Sequence, residues 1–86
     1  MLGIRNIQFS KLVKAEGRFR EFNFRKSAHD GIEIFNVDVT DDRNNRILFR
    51  MQKEDNAWKI QSKELPVWII NTEPNLCELI ENELQA

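Results

Sequence analysis

Phe35-Asn36-Val37-Asp38-Val39-Thr40-Asp41-Asp42-Arg43-Asn44-Asn45-Arg46-Ile47-Leu48-Phe49-Arg50-Met51 holds two runs of alternation on either side of six polar or turn-forming residues, Thr40 to Asn45. In the first, Phe35, Val37 and Val39 fall on one side and Asn36 and Asp38 on the other. In the second, Ile47, Phe49 and Met51 alternate with Leu48, Arg50 and Gln52. A period of two is the signature of a strand with one buried face, and the polar run between the two implies an antiparallel connection. These residues make the chain a sheet protein.

The same period extends outward in both directions. Downstream, Glu54-Asp55-Asn56 is a tight turn, and Trp58 and Ile60 form a short fifth strand. Upstream, Ser27-Ala28-His29-Asp30-Gly31 reads as a loop, and Ile32 and Ile34 have the outward parity, which suggests a covered start to the third strand. Phe19, Phe22 and Phe24 lie in a second strand, but Phe19 has the opposite parity to the other two. A bulge near Arg20 or Glu21 would put all three rings on one face. Ile7, Phe9, Lys11 and Val13 alternate as a first strand, joined through Lys14-Ala15-Glu16-Gly17, although Ile4, Ile7, Lys11 and Leu12 also fit a helix.

After Lys63 the period changes. The apolar connector 65–71 contains Pro66, which can begin one helical turn, and is expected to plug one end of the sheet. Thr72 has the chemistry of an N-cap, Glu73 suits the positive end of a helix dipole, and Pro74 is tolerated in a first turn. Leu76, Leu79, Ile80 and Leu84 then form one apolar stripe of a helix over about 73–84, with Glu78, Glu81, Asn82 and Gln85 opposite. The expected fold is α+β: an antiparallel meander of about five strands over roughly 4–62, with a C-terminal amphipathic helix packed on one face. Residues 1–86 form one domain in this expectation.

With 41% hydrophobic and 31% charged residues over 86 positions, the composition suits one modest core and excludes a disordered chain. Cys77 is the sole cysteine, which forbids an intrachain disulfide and favours a reducing compartment. Met1 to Arg5 has no apolar targeting core, and the apolar stretch from Pro66 to Ile70 is far short of a membrane span. A cytoplasmic location is the expectation.

Charge is segregated along the chain. Residues 1–26 carry Arg5, Lys11, Lys14, Arg18, Arg20, Arg25 and Lys26 against Glu16 and Glu21, while residues 64–86 carry five glutamates and no Lys or Arg. Glu81 and Glu83 lie in the last turns of the expected helix, where the macrodipole disfavours carboxylates, so some partner should stabilise them. The acidic helix flank is therefore expected near the basic N-terminal strands, within the chain or across a symmetric dimer.

Catalytic parts are absent from the residue list. His29 is a lone histidine in an expected loop, Cys77 flanks the helix stripe without a cation on its own helix, and Ser10, Ser27 and Ser62 carry no nucleophile signature. Asp38, Asp41 and Asp42 with Asn44 and Asn45 gather oxygen ligands, but counting Asp38, Asp41 or Asp42 as position one puts Phe49, Gln52 or Lys53 at position twelve, where a calcium loop needs glutamate, and no glycine makes its sharp turn. Gly3, Gly17 and Gly31 are isolated, which excludes a phosphate loop, and one Cys with one His cannot build a zinc site. No catalytic residue, cofactor or metal is expected.

Two functions remain from this residue set. The first is a small non-enzymatic protein-interaction module, binding a partner or itself, with Arg18, Arg20, Asn23, Arg25, Lys26, Glu78 and Glu81 as its candidate surface. The second is a single-stranded nucleic-acid-binding domain using the basic, Phe-rich segment 18–26, where rings would stack bases and cations hold phosphates. Alternation counts against the second, because rings and cations then point to opposite faces.

Overall fold

The structure is a computed structural model that describes residues 7–62 and 64–85. Five strands, β1 (Gln8–Ala15), β2 (Arg18–His29), β3 (Ile32–Thr40), β4 (Arg46–Glu54) and β5 (Ala57–Ile60), precede two helices, α1 (Val67–Ile70) and α2 (Glu73–Gln85). The strands form one antiparallel sheet in the order β1-β2-β3-β4-β5, so the α+β meander with a terminal helix is observed. The expected start near residue 4 lies outside the described residues. From Gln8 onward the first segment is strand and not helix.

Three of the four hairpins close through two residues that both have positive φ: Glu16 (53°) and Gly17 (76°), Asp30 (54°) and Gly31 (79°), Asp55 (49°) and Asn56 (69°). That pair of signs characterises the type I′ turn, whose twist matches the strands it joins. Two residues therefore suffice between β2 and β3, and the loop expected over 27–31 shrinks to Asp30-Gly31, with β2 continuing to His29. The β3–β4 connection is longer. Asp41 organises it, accepting the N–H groups of Arg43 (2.9 Å) and Asn45 (2.8 Å) on Oδ1.

The expected bulge in β2 is not formed. Pairing runs unbroken from Gln8↔Arg25 to Ala15↔Arg18, so parity alone places Phe22 and Phe24 inward and Phe19 outward. Arg20 takes the inward position that an all-Phe face would have filled. Its charge is met locally: the guanidinium carbon stands 4.4 Å from the Trp68 ring centroid, Nε donates to the Ala15 carbonyl, and Nη1 lies 3.1 Å from Asp42 Oδ1. The side chain is thus tolerated at 8% exposure.

The inner face is an aromatic seam. Phe9 stacks on Phe24 with centroids 4.5 Å apart, and Phe35 meets Trp58 edge to face at 5.1 Å. Leu76 and Ile80 of α2 and Ile69 of α1 are fully buried against it. Burying each such side chain contributes about 1.5–3 kcal/mol, which is why α2 holds its place. The connector does form a single helical turn starting after Pro66. Thr72, directly before α2, is buried; its carbonyl accepts the Leu76 N–H at 2.9 Å and its hydroxyl donates back to the Ile69 carbonyl at 2.6 Å, which ties α2 to α1.

Candidate functional site at the sheet edges

The two edges of this sheet, β1 and β5, are finished differently. Antiparallel pairing points alternate N–H and C=O groups toward the neighbour and away from it. In β5, Gln61 N–H donates to the Arg50 carbonyl, so Ala57 and Lys59 face β4 in the same rhythm while Trp58 and Ile60 face outward. Both outward N–H groups are taken by α2. Ile60 N–H donates to Glu73 Oε2 at 2.8 Å, and Trp58 N–H donates to Cys77 Sγ at 3.4 Å.

The match is geometric. Two residues of strand advance about 6.6 Å and four residues of helix about 6.0 Å, so side chains at 73 and 77 meet N–H groups at 60 and 58. One turn further, Glu81 Oε2 accepts the Trp58 indole N–H at 2.9 Å. Glu73, Cys77 and Glu81 thus form a polar stripe that closes β5. No sixth strand can add there without displacing the helix.

On β1, Ile7 O accepts the Lys26 N–H, which places Phe9, Lys11, Val13 and Ala15 in the β2-facing set. Gln8, Ser10, Leu12 and Lys14 point their N–H and C=O groups away from the sheet, and among the described residues none of these groups has a backbone partner. Their side chains are all exposed on the face opposite the helix. Leu12 is 66% exposed and Phe19, its diagonal neighbour across β2, 68% exposed. An open edge and two bare apolar side chains coincide.

Elsewhere the outer face carries exposed Ile32 and Leu48 and, between β1 and β4, a polar network. Ser10 Oγ donates to Asn23 Oδ1 (2.6 Å), Asn23 Nδ2 donates to Asp38 Oδ1 (2.8 Å), and Arg46 Nη2 donates to Asp38 Oδ2 (2.9 Å), a relay crossing four strands. Partial burial works to raise the Asp38 pKa, and the bonds from Arg46 and Asn23 outweigh it, holding the carboxyl below its ordinary value. A groove of about 560 Å³ lies over this relay, with Arg25, Asn36 and Leu48 on its walls.

The seven residues expected to share one surface do not do so. Asn23 and Arg25 lie on the outer face, and Arg18 is exposed at the sheet end, where Asp42 binds it at 2.9 Å. Arg20 is buried, as described above. Lys26 faces inward, half-buried, and pairs with Glu33 at 3.1 Å. Glu78 is exposed on α2, while Glu81 is committed to Trp58. Among the described residues no ion pair joins α2 to the basic N-terminal strands, and two of its carboxylates, Glu73 and Glu81, bond instead to β5, on the far edge from β1.

The Asp41 oxygens hold their own loop, and the N–H of Asn45, chiefly, keeps that carboxyl below its ordinary pKa. Among the described residues no group of three or more His, Cys, Asp or Glu side chains gathers to hold a metal ion. The side chain of His29 lies outside the described set. No helix among the described residues is long and apolar enough to cross a membrane.

The sequence matches no protein-family model, and neither the curated proteins nor the solved structures yield a match to it.

Proposed function

We propose that the chain is a small, non-enzymatic protein-interaction module that accepts an extended segment of a partner along β1. The observation that carries this is the asymmetry of the edges: β5 has its outward N–H groups bonded to α2, while the outward backbone groups of four β1 residues have no backbone partner among the described residues and lie beside exposed Leu12 and Phe19. Strand addition draws affinity from such main-chain groups and specificity from alternate side chains. An open edge is otherwise a liability for self-aggregation, so its retention next to a closed one is informative. The lone Cys77, half-buried and bonded to Trp58 N–H, suits a reducing compartment, and we place the protein in the cytoplasm.

The test is a selection of displayed extended peptides against the full chain, repeated with Leu12→Pro. Proline at an outward-facing edge position removes a donor without removing a β1–β2 bond. Selected binders should lose at least about tenfold in affinity to Leu12→Pro while its circular dichroism is retained. Binders indifferent to this change would overturn the proposal.

Nucleic-acid binding through segment 18–26 has less support, because Phe22, Phe24 and Arg20 are buried and Lys26 is paired inside. Salt-dependent binding of a labelled single-stranded oligonucleotide, abolished by Arg18→Glu with Arg25→Glu, would restore it.

A further inference from the structure

We infer that the segment accepted along β1 is acidic, with the four-residue pattern acid-apolar-apolar-acid; this rests on the edge-docking function proposed above. β1 carries Lys11 and Lys14 and no carboxylate. Both lysines are exposed, and neither forms an ion pair with another described residue. Lys14 shares the outer face with Leu12, whereas Lys11, opposite Phe22, stands on the inner face beside Val13. The two charges therefore flank the edge on opposite sides.

An added strand lies about 4.8 Å away and sets one residue opposite each β1 residue on the same face. In antiparallel pairing, the residues opposite Lys14, Val13, Leu12 and Lys11 are consecutive in the partner. Charge complementarity requires carboxylates at the first and fourth, and apolar contact favours the second and third. The third covers Leu12 and reaches Phe19. The second enters the groove of about 260 Å³ that Lys14 and Ala15 share with Val67 and Trp68 of α1. Val67 is exposed and supplies an apolar wall. The pattern reads the same in either direction.

A second copy of this chain is the wrong occupant by the same chemistry. Pairing β1 with its own copy gathers four lysines at the junction with no carboxylate from either strand, and lysine on an edge is a common device against self-pairing. The edge is closed to itself and left open to acid.

The experiment is fluorescence anisotropy of the full chain with a labelled octapeptide, Thr-Thr-Glu-Val-Val-Glu-Thr-Thr, beside versions with both Glu replaced by Gln or by Lys. The Glu peptide should bind about tenfold tighter than the Gln peptide at low salt, the sum of two exposed pairs, and the gap should narrow as salt rises. Lys11→Glu with Lys14→Glu should transfer the preference to the Lys peptide. Equal binding of the Glu and Gln peptides, with amide shifts at Gln8, Ser10, Leu12 and Lys14, would overturn the acidic preference and leave edge docking standing. Absence of shifts at those four amides with every peptide would overturn both. A dimer in sedimentation velocity that Leu12→Pro dissolves would also overturn the acidic partner, in favour of a second copy.

Discussion

Glu73 Oε2 accepts the backbone N–H of Ile60 at 2.8 Å, so a helix side chain takes the place that another strand would occupy beside β5. Glu73→Ala should lower stability by about 1–2 kcal/mol, because the partner N–H is left half-buried without an acceptor. Glu73→Gln keeps an acceptor and should cost less. Urea unfolding midpoints compare the two. Light scattering should also show Glu73→Ala associating more than the native chain.

Trp58 holds Glu81 through its indole N–H at 2.9 Å. Glu81→Ala should cost about 1–2 kcal/mol and change the tryptophan emission, whereas Glu78→Ala, on the exposed side of α2, should stay within about 0.5 kcal/mol. Thermal melts followed by fluorescence separate the two. Equal effects would mean that net charge on α2, and not this bond, sets its stability.

Arg20 combines a buried position, a stacked Trp68 ring and an ion pair to Asp42. Lysine cannot present the planar fork, so Arg20→Lys should lose about 1 kcal/mol despite retaining the charge. Phe19→Ser, one position away but outward, should leave the melting temperature nearly unchanged. Chemical denaturation of both variants checks the parity of β2 directly.

The lowered pKa of Asp38 has a sign that acid titration can read. A carboxyl more acidic in the folded than in the unfolded state stabilises above the unfolded value, about 3.9, and that contribution is lost as pH falls through the lower folded value. Asp38→Asn should therefore be less stable than the native chain at neutral pH, with a shallower decline below about pH 4. Unfolding free energies measured across that range provide the test.

Much of the sheet was legible in the residues. Phe35 to Met51 carried its strands by period alone, and Trp58 and Ile60 were recognisable as a short last strand. The ends of β2 were harder, because a type I′ turn needs only Asp30-Gly31 and the polar residues before it can pair as well as loop. Arg20 was misplaced for a related reason. Expected on the surface, it is buried because Trp68, some fifty residues on, covers it, a contact that no local period encodes.

By itself, then, the sequence determined the alternation of β3, β4 and β5 and the apolar stripe of α2, because two-residue and 3.6-residue periods are local properties, while the strand nature of β1 came from the structure. It also determined that the basic and acidic residues lie at opposite ends of the chain. Only the tertiary structure decided which edge is open. Glu73, Cys77 and Glu81 recur at helical spacing and could be read as a polar flank, but their use depends on the helix lying along β5 with its rise matched to the strand. That match consumes the free N–H groups of one edge and leaves Gln8, Ser10, Leu12 and Lys14 with theirs, a difference between two surfaces that no single segment encodes.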